Sequence, residues 1–132
     1  MAIYALDTNH VSALLRNHPS VTEQFDSHEC DAFVIATPIL GELYAGAFGG
    51  SRTAQNLFKL DLLLVQTRVM SFSRRHAERY GIILSYLRKT GRPIPPVDAQ
   101  LAAIAMAEDL TVVTADKHFT YIPDLKVENW LD

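Results

Sequence analysis

The chain of 132 residues is poor in cysteine, in long apolar stretches and in net charge. Its one cysteine, Cys30, has no partner within the chain, which excludes an intrachain disulfide framework and a thiolate metal cluster. The longest apolar run, residues 101–107, is far shorter than the roughly 18 residues that cross a membrane. The N-terminal sequence MAIYALD also lacks an export signal. We therefore expect a cytoplasmic protein without membrane attachment.

Length and composition together predict a globular protein. Hydrophobic residues make up 48% of the chain and charged residues 20%, which is enough apolar material for a buried core. No repeat, linker or low-complexity tract divides the sequence. We expect one domain that covers residues 1–132.

The net charge of −3 conceals an uneven distribution of basic residues. Segment 68–92 contains seven basic residues and one acid, so its net charge is +6 and that of the rest of the chain is −9. Such a segment is often only a solvated helix face, but it also predicts contacts with nucleic-acid phosphates. Within it, Arg75 and Arg79 are our candidates for binding a polyanionic substrate.

Short β-rich segments alternate with helical patterns along the chain. Strands are predicted at 3–6, 33–36, 69–72 and 111–114, with a weaker edge strand at 125–128. Thr37 is expected to cap the helix that opens a helical hairpin at about 38–66, and Ser51 its second helix. This alternation predicts an α/β fold in which helices cover both faces of a parallel sheet.

Four carboxylates are predicted to meet at the carboxyl edge of that sheet. Asp7 and Asp116 each follow a strand, and Asp98 begins the helix that runs back toward strand 111–114. Glu42 lies little more than one turn into the helix after strand 33–36, in a stretch that we expect to be partly buried. Taken singly, these acids could be helix caps or turn residues. Together they mark the edge where such sheets bind ligands.

Four neighbouring carboxylates repel one another unless a positive charge lies among them. Oxygen ligands without cysteine or a paired histidine favour a hard divalent ion, Mg²⁺ or Mn²⁺. An ion of this kind, held by carboxylates and by substrate phosphate oxygens, supports phosphodiester hydrolysis. We therefore take Asp7, Glu42, Asp98 and Asp116 as metal ligands and catalytic residues.

The order and spacing of several short motifs resemble the PIN-domain ribonucleases, especially the VapC toxins of toxin–antitoxin pairs. The motifs, which extend over nearly the whole chain, are LDTN at 6–9, ELYAG at 42–46, Asp98 with LAAIA at 101–105, LTVVTAD at 110–116, Phe119 and Trp130. The resemblance implies a metal-dependent RNA endonuclease in which the same four acids form the active site.

The resemblance also implies further residues and partners. Thr8 or Thr114 would assist through a hydroxyl group, and family members are usually dimers that a VapB-type antitoxin holds inactive. Lys117, beside Asp116, is a further candidate for contact with a phosphate, although it could equally be solvated. Two departures from the family pattern bear on a second metal site: Val97 replaces a frequent asparagine, and His118 stands where some relatives have another acid.

Two other functions fit parts of the sequence. A phospho-accepting receiver-type domain is also a small α/β protein with an aspartate at a strand end, but it needs an acidic pair after the first strand, where this chain has only Asp7. Alternatively, the chain is a PIN-like binding module without nuclease activity that acts through the hairpin at 38–66. Cleavage of RNA that depends on Mg²⁺ would distinguish the nuclease from both.

Overall fold

The computed structural model describes residues 2–131 and consists of a five-stranded sheet with six α-helices. The strands are β1 (Tyr4–Leu6), β2 (Phe33–Ala36), β3 (Arg68–Met70), β4 (Thr111–Val113) and β5 (Val127–Glu128). The helices are α1 (Thr8–Leu15), α2 (Pro19–Asp26), α3 (Thr37–Gly49), α4 (Thr53–Val65), α5 (Arg74–Lys89) and α6 (Pro96–Glu108).

The sheet is parallel throughout, with the strand order β3-β2-β1-β4-β5. Every residue of β1, β2 and β4 is buried, so helices cover both faces of the central strands. The right-handed crossover rule for parallel strands assigns α1 to α4 to one face and α5 with α6 to the other, because the strand order reverses its direction across the sheet after β3. This confirms the predicted α/β architecture.

The small side chains of α6 allow it to pack closely on the sheet. Ala99, Ala102, Ala103 and Ala105 are completely buried, which brings the helix backbone near β4. Because α6 runs antiparallel to the strand that follows it, its first turn lies at the carboxyl edge of the sheet. The helix thereby carries Asp98 to the ends of β1 and β4.

The predicted hairpin is present as α3 and α4, which pack against each other, but both predicted caps are wrong. Thr37 is the first residue of α3, and its hydroxyl instead accepts a hydrogen bond from the backbone N–H of Phe72 at 3.3 Å. Arg52 rather than Ser51 precedes α4. The sequence pattern also did not predict α2, whose only buried residues are Val21 and Phe25.

Within residues 2–131, no helix combines the length and the apolar character that crossing a bilayer requires.

Candidate active site

Asp7 is the most firmly held acid at the carboxyl edge. It follows β1 and caps α1, and it is only 4% exposed. One carboxylate oxygen accepts from the backbone N–H of Thr8 at 2.8 Å, and the other accepts from the hydroxyl of Thr114 at 2.7 Å. Burial raises the pKa of Asp7, the two hydrogen bonds oppose that rise, and the charges of Glu42 and Asp116 add to it. These hydrogen bonds fix the buried carboxylate in position, and no basic side chain among residues 2–131 forms an ion pair with it.

Asp98 meets Asp116 across the gap between α6 and the end of β4. Burial, the charges of Asp7, Asp116 and Glu42, and a hydrogen bond to the side chain of Asp116 raise the pKa of Asp98 to about 7. Asp116 caps a short 3₁₀ helix, Lys117–Tyr121, by accepting from the backbone N–H of His118 at 2.9 Å. Its own backbone N–H donates to the hydroxyl of Thr114 at 3.0 Å, so one threonine connects Asp7 to Asp116.

Glu42 extends into the same site from α3. The hydroxyl of Thr8 donates to Glu42 Oε1 at 2.7 Å, which orients the glutamate toward the end of β1. Glu42 is exposed rather than partly buried, because it lies on the open side of α3 while Leu43 turns inward. The charge of Glu42 nevertheless contributes to the raised pKa of both Asp7 and Asp98. All four predicted acids thus lie at one edge.

Asn9 and His10 form a support that the sequence reasoning did not identify. Asn9 Nδ2 lies 3.4 Å from both Asp7 Oδ2 and Thr114 Oγ1. Asn9 Oδ1 lies 2.6 Å from His10 Nδ1, and His10 Nε2 accepts from the backbone N–H of Trp130 at 2.9 Å. Both contacts fit a neutral His10 that carries its proton on Nδ1. Desolvation of this fully buried ring lowers its pKa to about 4. The only sequence signal was the polar run after β1.

His118 brings a nitrogen atom to the carboxylate cluster. Ligand atoms of Asp98, Asp116 and His118 all lie within 4.8 Å of one another. His118 Nδ1 is 3.0 Å from Asp116 Oδ1, but this approach lacks hydrogen-bond geometry, and the buried Nδ1 has no hydrogen-bond partner among residues 2–131. The site therefore combines carboxylates from four elements with one imidazole.

Comparison with known proteins identifies the family. A family model described as PIN domain matches residues 4–125. The chain belongs to the PIN-domain family. It is 32% identical to Ribonuclease VapC2 of Rickettsia felis, with 97% of this chain and 98% of that protein covered, and 29% identical to the tRNA(fMet)-specific endonuclease VapC of Shigella flexneri, with 98% and 99% covered.

Solved structures agree with this assignment of the PIN domain. The crystal structure of VapBC2 from Rickettsia felis bound to a promoter DNA fragment superposes with a TM-score of 0.90 at 32% identity, over 97% of this chain and 98% of that one. DNA-bound VapBC from Salmonella typhimurium gives a TM-score of 0.91 at 28% identity, over 98% and 99%. The receiver-type alternative does not hold, because receiver-type sheets have the strand order 2-1-3-4-5, whereas this sheet has the order 3-2-1-4-5.

The basic segment of the PIN domain, residues 68–92, contains β3 and α5. Arg75, at the start of α5, binds Glu108 at 2.8 Å and also donates to the carbonyl of Ala107. Glu108 ends α6 whereas Asp98 lies in its first turn, so ten residues or about 15 Å of helix separate Arg75 from the acids. The structure therefore places Arg75 away from the acids, whereas the sequence predicts that it binds the substrate.

Other basic side chains lie nearer the acids. Arg79 is one turn closer than Arg75 along α5, and Lys117 is exposed beside Asp116. Arg92, which follows α5, lies over the ring of Tyr121 at 5.1 Å, and that ring is 5.8 Å from His118. Arg92 thus lies at the end of the basic segment that borders the acidic cluster. The sequence pattern does not single it out from the other basic residues.

Proposed function

We propose that the chain is a divalent-metal-dependent endoribonuclease whose active-site acids and metal ligands are Asp7, Glu42, Asp98 and Asp116. The observation that carries the proposal is the excess of negative charge at the carboxyl edge. Buried Asp7 and half-buried Asp98 both have raised pKa values, and the charges of neighbouring acids contribute to each. The names of the VapC relatives, ribonucleases and a tRNA endonuclease, favour RNA as the substrate.

The residues present fit Mg²⁺ or Mn²⁺. Their ligand atoms are carboxylate oxygens with one imidazole nitrogen nearby, and their like charges are unmatched. When bound, such an ion supplies positive charge that assists attack of water on phosphorus and stabilises the leaving oxygen. We assign the coordination to the same four acids.

The chain's own side chains hold this arrangement ready before substrate binds. Thr114 and the backbone of Thr8 fix the two oxygens of Asp7, while the hydroxyl of Thr8 orients Glu42. The hydroxyl of Thr8, which donates to Glu42, remains able to accept a hydrogen bond from a substrate or an ordered water, whereas that of Thr114 already accepts from the backbone N–H of Asp116. Such preorganisation reduces the rearrangement required when the substrate binds.

Substrate phosphates need positive charge outside the acidic cluster. We assign this role to Lys117, which is exposed beside Asp116, to Arg92, which lies over the ring of Tyr121, and to Arg79 on α5. Arg75 is omitted from this set because it binds Glu108.

RNA cleavage by the purified chain tests the proposal. We expect cleavage of a mixed tRNA substrate with Mg²⁺ or Mn²⁺, none after EDTA treatment, and recovery when either ion is restored. Asp7→Asn should abolish cleavage. Asp124→Asn, which makes the same change at an exposed loop residue, is the control and should leave cleavage unchanged. Cleavage that persists in EDTA would contradict metal dependence, and no cleavage under any condition would favour the binding-module alternative.

We further propose that the chain acts as the cytoplasmic toxin of a pair with a VapB-type antitoxin. The similar solved structures are VapBC complexes. A groove of about 350 Å³ leads from Thr8 and Glu42 at the acidic edge to Asn56 and Lys59 on α4. An antitoxin segment that follows it could place an arginine or lysine against Glu42, where the cation would compete with metal.

The apolar face of α4 supports docking of a partner or a second copy. Leu60 and Leu63 of this helix belong to the core. Phe58, Leu62 and Val65 are 63%, 50% and 86% exposed, and their spacing places them on one side of the helix. We propose that this face is covered in a homodimer or by the antitoxin.

Growth measurements test the toxin role separately from catalysis. Expression of the wild-type chain should arrest a bacterial host, Asp7→Asn should be tolerated, and co-expression of the neighbouring antitoxin gene should restore growth. Equal tolerance of wild type and Asp7→Asn would contradict a toxin role without contradicting nuclease activity in vitro. Size-exclusion chromatography with light scattering of wild type and Val65→Glu would test the dimer, because a buried charge should dissociate it.

A further inference from the structure

We propose that His118 is a direct metal ligand and that, with Asp98 and Asp116, it forms a mixed nitrogen and oxygen site that prefers Mn²⁺ to Mg²⁺. This inference rests on the proposed metal-dependent function and narrows it, since it assigns a ligand outside the four acids and orders the two candidate ions.

The first argument is geometric. The three ligand atoms lie within 4.8 Å of one another. Two ligands on opposite sides of an ion, each about 2.1 Å away, are separated by about 4.2 Å, so adjustments of a few tenths of an ångström bring all three into coordination. The backbone already supports this placement, because Asp116 accepts from the N–H of His118 at 2.9 Å and fixes the start of the 3₁₀ helix.

The second argument is the state of the imidazole. Nδ1 of His118 is buried although 44% of the side chain is exposed. It faces Asp116 Oδ1 at 3.0 Å without hydrogen-bond geometry and has no hydrogen-bond partner in the part of the chain that the structure describes. A buried ring nitrogen without a partner is costly unless something else binds it. A metal ion between the nitrogen and the two carboxylates would satisfy it.

The third argument is the chemical preference of the ligands. Mg²⁺ strongly prefers oxygen ligands and retains water in place of nitrogen donors. Imidazole binds transition-metal ions more readily, and Mn²⁺ also accepts carboxylate oxygens at similar distances. One imidazole beside two aspartates therefore shifts the preference from Mg²⁺ toward Mn²⁺, whereas a third carboxylate at position 118 would not.

The alternative is that His118 only forms an ion pair with Asp116. Magnetic resonance of bound Mn²⁺ separates the two, because electron spin echo modulation detects the nitrogen of a directly coordinated imidazole. The full-length protein without RNA is loaded with Mn²⁺ at about pH 8, where free imidazole is neutral. The variants are His118→Asp and, as a matched control, His18→Asn, because His18 caps α2 and asparagine is a good helix cap.

We expect nitrogen modulation in wild type and His18→Asn and its loss in His118→Asp. Competition between the ions should show a preference for Mn²⁺ over Mg²⁺ that falls about tenfold in His118→Asp. Tight Mn²⁺ binding without nitrogen modulation in wild type, or modulation retained in His118→Asp, would overturn the assignment of His118 and leave the metal-dependent nuclease intact. Absence of binding by either ion would overturn the proposed metal site as well.

Discussion

The two ends of α6 hold polar clusters that differ in charge balance. In its first turn Asp98 meets Asp7, Asp116 and Glu42, all of which are acids. At its last residue Glu108 accepts from His76 Nε2 at 2.8 Å and pairs with Arg75 at the same distance. One helix therefore connects an unbalanced cluster to a matched one.

The pKa values show what this difference means. Hydrogen bonding to His76, with the neighbouring charge of Arg75, lowers the pKa of Glu108, whereas burial and neighbouring acids raise that of Asp98 to about 7. A matched cluster stabilises the fold by itself. An unbalanced one costs folding free energy and is retained where a ligand compensates it. Charge balance thus distinguishes a structural cluster from the proposed metal site at the two ends of a single helix.

The largest expected effect is on catalysis. Asp98→Asn should reduce RNA cleavage by more than about 100-fold, because the substitution removes a proposed metal ligand. Glu108→Gln makes the same chemical change at the other end of α6 and should alter cleavage less than about threefold. Initial rates on one RNA substrate with Mn²⁺ measure both. Equal losses in the two variants would show that the acids act through helix stability rather than chemistry.

A smaller effect concerns His10, which lies between the acidic cluster and the C-terminal segment. Between its unfolded pKa of about 6.5 and its folded pKa of about 4, the unfolded chain binds a proton that the folded protein excludes. Stability from the neutral ring is therefore complete above pH 6.5 and decreases as the pH falls toward 4, by at most about 3 kcal/mol. NMR titration of the imidazole checks the low value, and a midpoint near 6.5 would contradict it.

Much of the acidic site follows from sequence because parallel topology brings strand ends together. Asp7 comes directly after β1 and Asp116 shortly after β4, so the alternation of elements is sufficient to place them at one edge. The position of Asp98 at the same edge follows from the sequence because the alanine-rich helix that contains it runs antiparallel to the next strand. These positions depend on chain direction, which follows from the alternation of strands and helices.

The remaining features depend on pairings distant in sequence. Arg75 was assigned to RNA because its segment is basic, but its partner Glu108 lies 33 positions away on another helix. Thr37 was expected to cap a helix, yet the backbone of Phe72 uses its hydroxyl. Local patterns report which groups are polar, and tertiary packing decides which partner each one binds.

Stability without metal should change in opposite directions at the two ends of α6. In EDTA at pH 8, Asp98→Asn should raise the free energy of unfolding by about 1 to 2 kcal/mol, because it removes one of several repelling charges. Glu108→Gln should lower it by about 1 kcal/mol, through weaker hydrogen bonds to Arg75 and His76. At pH 4, where the folded protein holds a proton on Asp98, the gain from Asp98→Asn should disappear. Urea unfolding measures both variants, and destabilisation of Asp98→Asn at pH 8 would contradict the charge imbalance.

The smallest expected effect separates the two ends of the basic segment. Arg92 lies over Tyr121 beside the acidic cluster, while Arg75 is bound to Glu108 at the far end of α6. In an Asp98→Asn background that prevents cleavage, Arg92→Ala should reduce the slope of log K against log salt for single-stranded RNA by about 0.7, the value for one lost phosphate contact. Arg75→Ala should leave the slope unchanged. Fluorescence anisotropy at several salt concentrations provides the measurement.

A reduced slope in Arg75→Ala alone would place the RNA path along the start of α5 and away from the acids. An equal reduction in both variants would mean that RNA contacts the basic segment along its whole length.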